Sequence, residues 1–190
     1  MPIFMSAEKE KFMKYFILVL IGTFVITACS EGEVPIPSER GPVPVVVSQD
    51  NPALTAYNYY GMHERYNRSE LKDLTGIDPV QTEWCAAFVN SVLEESGIKS
   101  NKDHEYPLTA KAFLDWGQSV KKENIEPGDL VVFPRGDVEW QGHVGFYLSS
   151  VTKNNIEYYV ILGGNQKNKV SIEFYRSSKA IDIRRTLKVN

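Results

Sequence analysis

The spacing of apolar residues changes once along the chain, from about 3.6 to about 2, and divides it into a helical half and a stranded half. In the helical half, Cys85, Phe88, Val89, Val92, Leu93 and Ser96 recur at helical spacing, which predicts a helix from Thr82 to Gly97 with one stripe facing a core. Thr82 is a capping residue, Glu83 falls in the first turn, and Gly97 supplies a left-handed stop. Shorter helices are predicted over Ala53–Tyr60, ended by Gly61, and over Ser69–Leu74, ended by Gly76. Another is predicted over Pro107–Trp116, with Ala110, Phe113 and Leu114 inward and Gly117 as its stop. Pro127-Gly128-Asp129 then turns the chain into Leu130–Phe133, a short buried strand. Further strands are predicted at Val144–Ser149, at Tyr158–Leu162 after the Asn154-Asn155 turn, at Lys169–Tyr175 and at Ile181–Arg185. Short connections make this sheet of about five strands mostly antiparallel. Helices followed by strands give an α+β fold in one domain.

The first 52 residues stand outside this pattern. Lys9, Lys11 and Lys14 precede an apolar run from Tyr15 to Ala28, about fourteen residues and short for a membrane span. A basic flank, an apolar centre and small residues at the end predict an export signal, with a buried helix as the other reading. The run closes on Ile26-Thr27-Ala28-Cys29, which resembles the lipobox of bacterial lipoproteins. That resemblance implies a signal peptide over residues 1–28 and a lipidated Cys29 as the first residue of the mature chain. Ser30, in place of aspartate, implies the periplasmic face of the outer membrane of a diderm cell. Met5 and Met13 are alternative starts. Residues 29–52, with Pro35, Pro37, Pro42, Pro44 and Pro52, read as a tether that reaches about 60 Å when extended. Val45–Val47 within it offers an edge strand as the lesser reading. The domain is expected over residues 53–190.

Composition narrows the function. Apolar content of 43% and charged content of 24% suit one globular core. A net charge of −3 with no basic run argues against a nucleic-acid partner. Removing residues 1–28 takes away three lysines and two glutamates, which leaves −4 and disfavours a polyanionic substrate. The chain has two cysteines, so lipidation of Cys29 leaves Cys85 without an intramolecular disulfide partner. An exported lone thiol is either buried or used. A Cys29–Cys85 disulfide is the alternative if Cys29 carries no lipid. With scattered histidines and one remaining sulfur, neither a metal site nor a cofactor is indicated, and a monomer is expected.

Cys85 falls near the start of the predicted helix, where unpaired N–H groups favour thiolate and make a cysteine nucleophilic. A small core residue is the competing reading of a cysteine on an apolar stripe. Of three histidines, His63 and His104 lie in polar surroundings and read as surface residues. His143 is flanked by Gly142 and Gly145, which leave room for approach to an imidazole able to serve as general base. A hydrogen-bonded core histidine is the alternative. If Val144–Ser149 and Tyr158–Leu162 form a hairpin, Asn165 lies near His143, where its amide can hold the imidazole tautomer. A plain Gly-Asn turn is the alternative there.

Four stretches occur in order: Trp84-Cys85-Ala86-Ala87-Phe88-Val89, Pro-Gly-Asp-Leu-Val-Val-Phe at 127–133, Gly-His-Val-Gly-Phe-Tyr at 142–147, and Gly-Gly-Asn-Gln at 163–166. Together they resemble the NlpC-type and CHAP-type cell-wall cysteine peptidases and amidases, over roughly Ala53 to Arg185. The resemblance implies a papain-like core with N-terminal helices packed on the sheet. It implies Cys85 as nucleophile, His143 as base and the Cys85 N–H as part of an oxyanion hole, with Asn165 as the third residue. Gly163 stands where CHAP domains carry glutamate. The implied activity is cleavage of amide or isopeptide bonds in peptidoglycan peptides through an acyl-enzyme, with the membrane engaged by the N-terminal lipid. Two rival readings remain: a non-catalytic module that binds peptidoglycan or a protein in the same groove, and a thiol amidase or acyltransferase on another substrate.

Overall fold

A computed structural model describes residues 51–138 and 141–187. The signal, the lipobox with Cys29 and Val45–Val47 lie outside the described residues. Among the described residues three α-helices come first: α1 (Pro52–Tyr57), α2 (Arg68–Thr75) and α3 (Cys85–Glu95). Asn51 caps α1 by accepting from Ala53 N–H at 2.8 Å, with Pro52 in the first turn where its missing donor costs nothing. Gly76 ends α2 in the left-handed conformation, as its sequence predicts.

Helix α3 departs from expectation in two ways. It begins at Cys85 rather than after Thr82, because the N–H groups of Gln81 and Thr82 both bond to the Asp78 carbonyl, closing a separate turn. It is also buried all round from Cys85 to Leu93, not along one stripe. Strands cover one side; α1, α2 and a loop cover the others. Full burial of Phe88 alone is worth about 1.5–3 kcal/mol. Polar side chains on α3 tie its neighbours down. Ser91 Oγ donates to Leu74 O at the end of α2, and Asn90 donates to Pro107 O while accepting from Asn101 N–H. Held by Asn90 and by a turn from Tyr106 to Thr109, the predicted helix over Pro107–Trp116 shrinks to a 3-10 helix at Ala110–Asp115.

The strands are β1 (Gln118–Ser119), β2 (Leu130–Pro134), β3 (Gly142–Lys153), β4 (Ile156–Gln166), β5 (Lys169–Arg176) and β6 (Asp182–Arg185). They form one sheet in the order β1-β6-β2-β3-β4-β5, with every neighbour antiparallel. Strand β1 is the addition to the five expected; two residues carry no periodicity to read. Side chains alternate between two apolar clusters on opposite faces. Leu130, Val132, Val144, Phe146 and Leu162 pack with α3, whereas Val131, Phe133, Tyr147, Tyr159, Ile161 and Ile183 form a second cluster. His143 stands directly opposite Phe133 in the β2–β3 register. At the start of β2, buried Asp129 accepts from both Nε and Nη2 of Arg185, which fastens β6 to that corner.

Candidate active site

Cys85 is the first residue of α3, so the N–H groups around it lack helical partners. Pairing between β3 and β4 runs no further toward the start of β3 than Phe146 with Leu162. Just past that point the Val144 N–H meets the Cys85 sulfur, as does the Ala86 N–H. Burial is the largest influence on the thiol and pushes its pKa up. The two N–H groups and the Arg135 charge pull the other way, and Glu83 adds to the rise. The resting sulfur is therefore a thiol. The helix start alone predicts thiolate, but desolvation of a residue only 4% exposed outweighs it.

His143 is equally enclosed. Burial drives its pKa down to about 4, the Gln166 hydrogen bond opposes this, and Arg135 adds to it. Its Nε2 lies 3.0 Å from Gln166 Oε1. The Gln166 amide nitrogen donates to Ser171 O and Ile161 O, so its oxygen is the atom turned to the ring. An acceptor there requires the hydrogen on Nε2, which leaves Nδ1 with a lone pair. Gly163 leaves room beside the contact, since a Cβ there would lie 3.3 Å from His143 Nε2, tighter than most such contacts. The Tyr175 ring stacks on the imidazole at 5.3 Å.

Asn165 does not hold His143. Its amide donates to Glu83, which pairs with Arg135 at 3.0 Å. The hairpin forms as expected, but β4 runs on through Gln166, with an irregularity between Gly163 and Gln166 and Asn165 at φ 57°. A break of that kind moves the inward position by one residue, so Gln166 takes the place that simple alternation gives to Asn165.

A groove of about 300 Å³ opens on Cys85, walled by Glu83, Leu108, Thr109, Ala110 and Arg135. Neither His63 nor His104 lines it; His63 bridges to Lys169 and His104 faces Asp115. Sequence reasoning passed over Gln166, Arg135, Glu83 and Tyr175. Gln166 lay within a quoted motif, but Arg135 and Tyr175 carry no local signal. Among the described residues no three His, Cys, Asp or Glu side chains gather as a metal site.

An α+β domain that brings a cysteine at the start of its central helix to the backbone beside a strand histidine has the layout of a papain-like hydrolase. Residues 77–165, a little under half of the chain, match the CHAP domain family, a family of cysteine peptidase and amidase-type hydrolases. A similar curated protein is the probable endopeptidase NlpC of Escherichia coli strain K12, 28% identical over 138 residues, 70% of this chain and 76% of that one. Among solved structures, the P60 domain from the M. avium paratuberculosis antigen MAP1272c aligns with a TM-score of 0.37 and 20% identity. That alignment covers 54% of this chain and 63% of the other, under two thirds of its length.

Proposed function

We propose that this CHAP domain is a cysteine hydrolase that cleaves an amide or isopeptide bond in peptidoglycan peptides, anchored by lipid on Cys29 to the periplasmic face of the outer membrane. The Gln166–His143 hydrogen bond carries the reading, because it leaves Nδ1 as a base on the residue next to Val144, whose N–H meets the Cys85 sulfur. A substrate carbonyl enters the groove over Cys85. Sulfur bonds to the carbonyl carbon while its proton passes to His143 Nδ1, and the carbonyl π pair moves to oxygen, facing the Cys85 N–H. Collapse expels the amine, which takes the proton from His143. Water, deprotonated by the same imidazole, then hydrolyses the thioester. Starting from a neutral thiol and a neutral imidazole, this route needs no stored charge in a dry site. The Arg135–Glu83 pair in the groove and the acidic mature chain suit a zwitterionic stem peptide rather than a polyanion. The name of the similar Escherichia coli protein, an endopeptidase, agrees with this reaction class.

The test is digestion of purified peptidoglycan, followed by mass spectrometry of the products. Peptide fragments without new reducing ends are expected, and Cys85→Ala abolishes them. Reducing ends without peptide release overturn the proposal. The buried, upward-shifted thiol gives the binding-module reading its one specific support. Saturable peptidoglycan binding with an inert Cys85 decides for that reading.

A further inference from the structure

Tyr175 comes from β5, beyond the stretch that matches the CHAP family. Its ring lies nearly parallel to the His143 imidazole, with centroids 5.3 Å apart and planes 14° apart. It also stacks on Phe133, the cross-strand neighbour of His143, at 4.6 Å and 23°. Phe133 is fully enclosed, so the stack is braced from the core and the aromatic face stays on the imidazole.

The reaction proposed above requires His143 to become an imidazolium when it takes the Cys85 proton. The groups that act on the ring are Arg135 from the segment after β2, Tyr175 from β5 and Gln166 from β4, while the Cys85 sulfur of α3 meets the N–H of the next residue, Val144. Arg135 opposes a positive ring. A negative charge on the Cys85 sulfur favours one, but as sulfur bonds to the carbonyl carbon that charge passes to the carbonyl oxygen, which faces the Cys85 N–H. Two groups of the protein then remain against the ring to stabilise the imidazolium: the Gln166 carbonyl oxygen and the face of Tyr175. A cation within about 6 Å of an aromatic centroid, over its face, is attracted by the ring quadrupole, most strongly where water is excluded. The phenol itself stays neutral, since burial raises its pKa to about 12, so the face rather than a phenolate acts on His143.

We propose that Tyr175 is a positioning residue of the hydrolase, whose ring face steadies the transient His143 imidazolium. The inference rests on the Cys85–His143 reading above. Its test uses the full chain carrying Cys29→Ser, so that Cys85 is the sole thiol, with Tyr175 replaced by Phe, by 3,4,5-trifluorophenylalanine or by Leu. Alkylation of Cys85 by iodoacetamide across pH and the His143 titration by NMR are measured, with melting curves to compare folding. Phe is expected to match Tyr. The fluorinated ring, nearly the same shape but stripped of its negative face, is expected to slow alkylation about five- to thirty-fold and to lower the His143 titration point further. Leu is expected to behave like the fluorinated ring. Alkylation that depends on His143 but is indifferent to fluorination overturns the role of Tyr175 alone. Alkylation unchanged by His143→Gln sinks the Cys85–His143 pair and this inference with it.

Discussion

Gln166 Oε1 sits 3.0 Å from His143 Nε2, although Asn165, its neighbour, occupies the position that plain strand alternation turns toward the histidine. One residue of slip decides which amide orients the base, and the amide chosen is the one whose nitrogen two backbone carbonyls already hold.

Gln166→Ala removes the acceptor for Nε2–H and frees the imidazole to adopt the other tautomer. Turnover should fall by roughly one to three orders of magnitude, less than the loss of a triad aspartate costs. Asn165→Ala, which touches Glu83 instead, should cost less than about tenfold. Steady-state kinetics on peptidoglycan peptides compares the two, and a larger effect at Asn165 contradicts this assignment.

The His143 titration links stability to pH. Its folded value of about 4 lies below the ordinary 6.5, so between these values the unfolded chain binds a proton that the folded chain excludes. Its contribution is intact above pH 6.5 and is lost as pH falls toward 4. The loss amounts to about 3 kcal/mol. Urea unfolding at pH 7.5 and pH 4 should show it in wild type, and His143→Gln should remove that part of the difference. Equal pH dependence in the two proteins would falsify the burial account.

Gly164 of β4 lies against Phe88 of α3 and against Trp84, which precedes that helix. A Cβ there would fall 2.6 Å from Trp84 Cζ3 and 2.7 Å from Phe88 Cβ, both on fully buried residues. Gly164→Ala should destabilise by about 1–3 kcal/mol through overpacking. Thermal unfolding reads this, and an unshifted midpoint argues against the close helix–sheet contact.

Arg185→Leu strands the Asp129 carboxylate, 3% exposed, leaving it among the described residues with the Glu126 N–H at 2.8 Å as partner. Removing one member of a buried pair costs about 3–5 kcal/mol, and partial exposure of Arg185 places this case at the lower end. Asp129→Asn with Arg185→Leu should recover part of that loss, since no unpaired charge remains. Denaturant midpoints of the single and double variants form the check.

Lipid on Cys29 predicts that the protein partitions into detergent and takes up labelled palmitate, and that Cys29→Ala loses both properties. Recovery from membranes of an unlipidated chain extending upstream of Cys29 refutes the anchor.

Periodicity, punctuation by glycine and proline, and four short motifs were enough to place the helices before the strands and to pair the strands antiparallel. Those features are local: an α-helical period, a Gly stop such as Gly76, and a Pro-Gly-Asp turn are properties of neighbouring residues. What the tertiary structure decided was non-local. The turn closed by Asp78 moved the start of α3 onto Cys85, and burial on every side turned the thiolate favoured by a helix end into a thiol. The irregularity after Gly163 exchanged Asn165 for Gln166, and a strand two places along the sheet brought Tyr175 onto the imidazole. Desolvation and contact depend on atoms far apart in the chain, so no window of sequence contains them.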